Sequence, residues 1–458
     1  MAATRAPPAS PAKAATAAAP EGGRTPDAGA DAKAPSSRAP SSKPPFTVKD
    51  LRRAIPPECF VRSLPRSAAY LAADLCVVAT LFALSTLIPR AVDLLPAAPP
   101  PPPSSSSSFL SGAPLLAPLL PSTSPQALMR LAAGASLWCL YWFLQGAHCT
   151  GLWVTAHECG HGAFSDYPLV NDAVGYVVHT ALLVPYYSWK HSHRRHHGNT
   201  GSAEHDEVFV PAWSPDERPL WGSGAYRLAH LAFQQLLGWP SYLLFNAGGK
   251  DYSRWASHFD PWSPVFSPRE RAEVALSTAG VAAALSLLWS ASRTFGVAAV
   301  VKAYVVPYFI VNWWLVMITF LQHTHPSLPH YAEGEWDWLR GALSTVDRSF
   351  GKYLDGAFHH IADTHVVHHL FSGLPHYNAE RATEAVKGVL GEYYMRDGRN
   401  VWRALWEDTR DCCYASPDAG GGEGGGAAAK AGGEPARRGV LWYRSAVTEA
   451  GKPAAKAA

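Results

Sequence analysis

Four apolar runs set the plan of the chain. Residues 68–88, 131–153, 272–289 and 297–321 each come close to the ~20 apolar residues that a helix needs to cross a hydrocarbon core about 30 Å thick. Two further stretches are expected to lie in the membrane interface. Residues 173–187 are apolar but too short to cross, and 225–245 mixes its apolar positions with Arg227, His230, Gln234 and Pro240. The basic stretch 46–66 is expected on the membrane surface. Asp74, near the start of the first run, reads as a carboxylate at headgroup depth. The pattern predicts an all-α integral membrane protein, with four transmembrane helices beneath a cytosolic histidine-rich helical cap.

The polar segments bound this domain. Residues 1–44 are Ala, Pro, Ser and Lys with almost no large apolar side chain, so burial cannot offset their ordering entropy, and a disordered N-terminal tail is expected. They hold no apolar core for a secretory signal, and Glu21, Asp27 and Asp31 weigh against a plastid transit peptide. Residues 89–125, with five consecutive Pro and five consecutive Ser, read as a loop insertion. Residues 416–458 read as a flexible C-terminal tail, leaving 45–415 as a single membrane domain.

Charge orients the spans. Lys and Arg concentrate in 46–66, 189–271 and 340–352, whereas 89–130 and 290–296 hold only Arg90, Arg130 and Arg293. The basic side is expected to be cytosolic. Four crossings then put both termini and every histidine-rich segment on that side. Net charge of +3 gives no indication of nucleic-acid binding. Seven Cys without a CxxC pair argue against a disulfide scaffold or a thiolate zinc site. The 17 Trp and 18 Tyr suit membrane interfaces.

The histidines carry the chemistry. HECGH at 157–161 puts His157 and His161 one helical turn apart on one face. HSHRRHH at 191–197 contains His193, His196 and His197 at i, i+3, i+4, and HVVHH repeats that spacing with His365, His368 and His369. With 20 His in 458 residues, chance predicts roughly 0.04 HxxHH matches, and the chain has two, so surface histidines are a poor account of them. One catalytic ion takes about three protein ligands, so eight imidazoles point to two metals. Imidazole suits Fe, Cu, Zn and Ni alike, so the ligand type leaves the metal open. In LQHTHP a ninth ligand is expected, His323 rather than His325, because Pro326 restrains the backbone at His325. His148, His179, His230, His258, His330 and His376 are expected to be structural or solvated rather than ligands, and so is His191, which lies on a different helical face from His193. Glu158, Asp166, Asp206, Glu207 and Asp363 are candidate carboxylates for the outer nitrogens of bound imidazoles.

HECGH also fits the HExxH pattern of a membrane zinc metalloprotease, with Glu158 as base, but that leaves six boxed histidines without a role. A metal transporter would place polar groups along the spans rather than at their ends.

The boxes and their surroundings resemble the membrane fatty acid desaturases, in particular the plant-type oleate (delta-12, omega-6) desaturases of the endoplasmic reticulum. The resemblance rests on AHECGHGAFSDY (156–167), SWKHSHRRHHGNTGS (188–202), DEVFVP (206–211), ITFLQHTHPSLPHY (318–331), EWDWLRGALSTVDR (335–348) and HHIADTHVVHHLFSGLPHYNA (359–379), with PPFTVKDLRRAIPPECF (44–60) upstream. It covers roughly residues 44–415. One departure is His191, where an aromatic residue is common. The resemblance implies a di-iron centre held by His157, His161, His193, His196, His197, His365, His368 and His369, with His323 as ninth ligand. It implies electrons from cytochrome b5 and its NADH reductase, and oleate esterified to phosphatidylcholine as the substrate that becomes linoleate. It implies the endoplasmic reticulum membrane, with a plastid membrane as the alternative. A hydroxylase, epoxygenase or acetylenase on the same scaffold would share every box.

Overall fold

The computed structural model describes residues 38–96, 124–418 and 438–445. Most of the expected N-terminal tail, the Pro/Ser run of the loop insertion and most of the expected C-terminal tail lie outside the described residues.

Four helices are long and apolar enough to cross a membrane, and each matches an expected run. The first span, Leu64–Ser85, starts four residues early because Ser63 caps it and Pro65 fits its first turn. The second, Pro125–Gly160, is capped by Ser124 and runs seven residues past the apolar stretch, carrying His157 into the cap. The third is Arg271–Phe295. The fourth runs from Val297 to His323 through a π-helical turn at Val301–Val305. Pro307 explains that turn: it has no N–H to give the carbonyl of Ala303. The freed carbonyl accepts from the Tyr141 hydroxyl of the second span at 3.2 Å, and the adjacent Lys302 carbonyl accepts from Trp142 Nε1 at 2.8 Å. The two spans pack closely at Gly146, where a Cβ would come within 2.3 Å of Ile310.

The interfacial stretches form the helices Pro168–Ala181 and Gly224–Phe245. Between them, Tyr186–Asn199 carries the second box, and the third box sits on the short helix His365–Leu370. One core joins the second and fourth spans to helices Gly224–Phe245 and Val401–Asp411 through Trp153, Trp239, Trp314 and Leu405.

Three expectations are corrected. Helix Val48–Ala54 buries Leu51, and Ile55 behind it, in a second core with Val386 and Leu390, so residues 46–60, expected only on the membrane surface, are built into the cap. Asp74 is buried and accepts from His359 Nε2 at 2.7 Å, so it is not a headgroup carboxylate. The helical fold also contains a small antiparallel sheet of β1 (Pro329–Tyr331), β2 (Tyr414–Pro417) and β3 (Val440–Arg444), in the order β1-β3-β2. The expected flexible tail over 416–458 therefore holds the central strand of that sheet. Leu441, Trp442 and Tyr443 are all buried, because both faces and both edges of β3 are covered.

Candidate metal centre

The nine expected imidazoles come together, but in two groups. The ligand nitrogens of His157, His161, His193, His197 and His368 all lie within 4.8 Å of one another. Those of His196, His323 and His369 form a second group, and His365 Nε2 joins it at 3.2 Å from His323 and 3.1 Å from His369. The stacked rings of His197 and His369, with centroids 4.2 Å apart, link the groups. His325 turns away: its Nδ1 accepts from Ser327 N–H at 3.0 Å and its Nε2 faces Asp397 at 3.6 Å.

Helix geometry sorts the imidazoles. On Tyr186–Asn199, His196 sits about 60° to one side of His193 and His197 about 40° to the other. His193 and His197 serve the first group and His196 the second. Helix His365–Leu370 does the converse: His368 serves the first group, while His365 and His369 serve the second.

The donor set fits cations. Neighbouring Nε2 atoms stand 2.9 Å (His157–His193), 3.2 Å (His157–His161), 3.1 Å (His193–His197) and 3.4 Å (His196–His323) apart. Two ligands about 2.1 Å from a shared ion, at right angles, would be about 3.0 Å apart. Burial, reinforced by neighbouring imidazoles, holds His193, His197, His368 and His369 well below the usual histidine range, and it brings His161 and His365 down to about 3. Neutral imidazoles present lone pairs, and converging lone pairs cannot all be satisfied by one another. His368 Nε2, for one, is buried with no hydrogen-bond partner among the described residues.

A cavity of about 320 Å³ runs up to these nitrogens. His157, His193, His196, His323 and His365 form part of its wall, and most of the rest is apolar, including Trp153, Val208, Phe209, Trp239, Leu315 and Phe320.

The family model for fatty acid desaturases matches residues 135–399. The chain belongs to the fatty acid desaturase family. It is 48% identical to the Delta(12)-fatty-acid desaturase FAD2 of Vernicia fordii, over 89% of this chain and 93% of the relative. It is 45% identical to the Oleoyl-12-hydroxylase FAH12 of Ricinus communis, over 89% and 93%. It is 44% identical to the Omega-6 fatty acid desaturase, endoplasmic reticulum isozyme 2, of Glycine max, over 93% and 99%. The chain is thus an acyl-lipid desaturase, an oxidoreductase of the membrane, and the protease and transporter alternatives fall away.

Within this desaturase, the five candidate carboxylates divide. Asp206 alone holds a boxed imidazole, accepting from His196 Nδ1–H at 2.7 Å. Glu158 is buried, but it is 3.8 Å from His157 Nδ1 and accepts instead from the His376 backbone N–H at 3.0 Å. Asp166 pairs with Arg62 at 3.0 Å. Glu207 accepts from the Tyr252 hydroxyl at 2.7 Å, and Asp363 pairs with His360 Nδ1 at 3.0 Å. These four fail the expectation because nearer donors claim them, Glu158 from within the second span's helix and the other three from loops. The Thr200 hydroxyl and the Ile361 carbonyl do that work instead, on His369 Nδ1 at 3.2 Å and His365 Nδ1 at 3.0 Å.

Two tryptophans also escaped the sequence reading. Trp153 stacks on His157 and Trp189 on His193, with ring centroids 5.6 and 4.4 Å apart. Each lies four residues before its histidine, a spacing that could have revealed them.

Proposed function

We propose that this desaturase converts the oleoyl chain of phosphatidylcholine to linoleoyl, introducing a cis double bond at carbon 12. Dioxygen is the oxidant, and cytochrome b5, served by its NADH reductase, supplies two electrons. The two C–H bonds that break on adjacent carbons supply the other two electrons and two protons, two further protons come from water, and dioxygen ends as two waters. Two irons, held by the groups of five and four imidazoles, would supply the oxidising power that an unactivated C–H bond requires and that no acid or base side chain offers.

The observation that carries this reading is the junction of cavity and imidazoles: nitrogens from both groups form part of the wall of a largely apolar cavity. Its walls suit an acyl chain and keep water from the reacting carbons. Phe209 and Phe320 stand beside His323 and limit which carbons reach it, and a shift of about one ångström there changes the site of attack. Trp153 and Trp189 fix the rings of His157 and His193, and Asp206 fixes that of His196.

On this reading the chain is a multi-pass protein of the endoplasmic reticulum membrane with both termini cytosolic. The charge asymmetry of its loops and the even number of candidate spans support that orientation.

The near-equal identity to an oleoyl hydroxylase favours a second reading, insertion of a hydroxyl at the same carbon. Expression in a yeast that makes oleate but no linoleate separates the two. Gas chromatography and mass spectrometry, with the double-bond position determined, should find linoleate, and His193→Ala and His368→Ala should abolish it. A hydroxylated product in its place, or linoleate persisting in either variant, would overturn the proposal.

A further inference from the structure

We propose that the mouth of the cavity carries an anion subsite, built by Arg218 and Arg227 around Trp221, that holds the phosphodiester of the lipid whose chain is desaturated. This rests on the reading of the cavity as the acyl-chain channel.

The first observation is an imbalance of charge. Arg218 lines the cavity, is partly exposed and stacks its guanidinium over the Trp221 ring at 4.5 Å. Arg227 is only 7% exposed, and its Nη1 donates to the Trp221 carbonyl at 2.5 Å. Neither forms an ion pair among the described residues; the Arg227 guanidinium faces the Trp406 ring at 5.9 Å, and its Nε is buried with no hydrogen-bond partner there. The neighbouring carboxylates of Asp216 and Glu217 form no ion pair with either arginine among the described residues, and Glu217 instead accepts from Trp213 N–H at 3.0 Å. A guanidinium removed from water without counter-charge is costly, so the buried Arg227, with the partly exposed Arg218 held over the same Trp221, marks a place for an anion.

The second observation is location. The 22-residue helix Gly224–Phe245 begins here, adding the positive end of its dipole. Leu220, Leu228 and Phe233 around it are large, apolar and exposed, as side chains facing lipid would be. At the depth where apolar residues give way to arginine, the abundant anion is the lipid phosphodiester, and the paired N–H groups of guanidinium match its oxygens.

The test uses the full chain in mixed micelles with cytochrome b5, its reductase and NADH. Oleate is offered as dioleoyl-phosphatidylcholine, as dioleoylglycerol, which has no phosphate, and as oleoyl-coenzyme A, whose phosphates lie on another carrier. Arg218→Gln, at a partly exposed position, should raise KM for the phosphatidylcholine about tenfold, with kcat within about twofold. It should leave dioleoylglycerol turnover unchanged, and Arg218→Lys should fall between. A KM penalty on the phosphatidylcholine without one on dioleoylglycerol supports the subsite, whatever the oleoyl-coenzyme A arm gives. No penalty on the phosphatidylcholine, an equal penalty on dioleoylglycerol, or a penalty on oleoyl-coenzyme A alone overturns it. A wild-type chain that makes no linoleate from any carrier would instead sink the desaturation of oleate itself, and the subsite with it.

Discussion

Asp206→Asn tests how the second group of imidazoles is held. The carboxylate accepts four hydrogen bonds at once, from His196 Nδ1–H at 2.7 Å, Glu207 N–H at 2.8 Å, Gly201 N–H at 2.9 Å and, longest, Val208 N–H at 3.4 Å. Asparagine keeps the shape and replaces one acceptor oxygen with an NH₂ group. Whichever way the amide turns, a donor then faces a donor, either at Gly201 or at the His196–Glu207 side. A lost hydrogen bond to a charged group costs about 1.5–3 kcal/mol. Removing an outer carboxylate from a bound imidazole typically lowers metal affinity 10–100-fold, about 1.4–2.7 kcal/mol at 1.36 per decade, so the two routes agree. Purified protein should therefore lose metal at a chelator concentration about 10–100-fold below the wild-type midpoint, read by elemental analysis after dialysis, with the linoleate-to-oleate ratio falling in parallel. Asp166→Asn and Asp363→Asn are the comparators, because neither carboxylate touches a boxed imidazole. An Asp206→Asn protein with the wild-type midpoint, or an Asp166→Asn protein that loses metal as readily, would refute the reasoning.

Gly151→Ala would put a Cβ 2.4 Å from the Ala357 carbonyl oxygen, a backbone atom that cannot step aside, and should cost about 1–3 kcal/mol, seen as a lower melting temperature. Truncation after Asp418 removes β3 and with it Leu441, Trp442 and the cavity-lining Tyr443. At about 1.5–3 kcal/mol per fully buried large side chain it should lower both melting temperature and linoleate yield, and unchanged melting would count against the sheet. His360 is held above the usual histidine range first by its hydrogen bond to Asp363, opposed by partial burial. That stabilisation is complete below about pH 6.5 and is lost as pH rises through the raised folded value. Asp363→Asn should remove this part of the pH dependence of melting, an effect below about 1 kcal/mol for a partly exposed pair.

The spans and boxes could be read from the sequence because both are local signals. An apolar run and an i, i+4 pair are set within one helix and survive whatever surrounds them. What escaped depends on partners far away in the chain. Asp74 reads as a headgroup carboxylate until His359, 285 positions on, is placed against it. VLWYR at 440–444 is five residues beyond a Gly/Ala-rich stretch, and nothing local shows that β1 and β2 flank it. Four of five candidate carboxylates failed because proximity in sequence does not choose between an imidazole and a nearer arginine, hydroxyl or backbone N–H. Asp206 succeeds through its loop: the same residue caps Gly201 N–H and so faces back to His196, ten positions earlier.

The HxxHH spacing also explains why there are two groups of imidazoles rather than one. Three ligands spread over about 100° of helix cannot all point to one ion while the ring nitrogens stay near 3 Å apart. On the proposed two-metal reading the helix sits between two centres and divides its imidazoles, a pair to one side and a single ring to the other. A second HxxHH helix facing it can close both centres only by dividing the opposite way, and His368 against His365 and His369 does so. Box one then adds its i, i+4 pair to the first group, and the last residue of the fourth span, His323, completes the second. The sum of five and four follows from helix geometry, and it places both groups where the ends of the second and fourth spans meet the cavity.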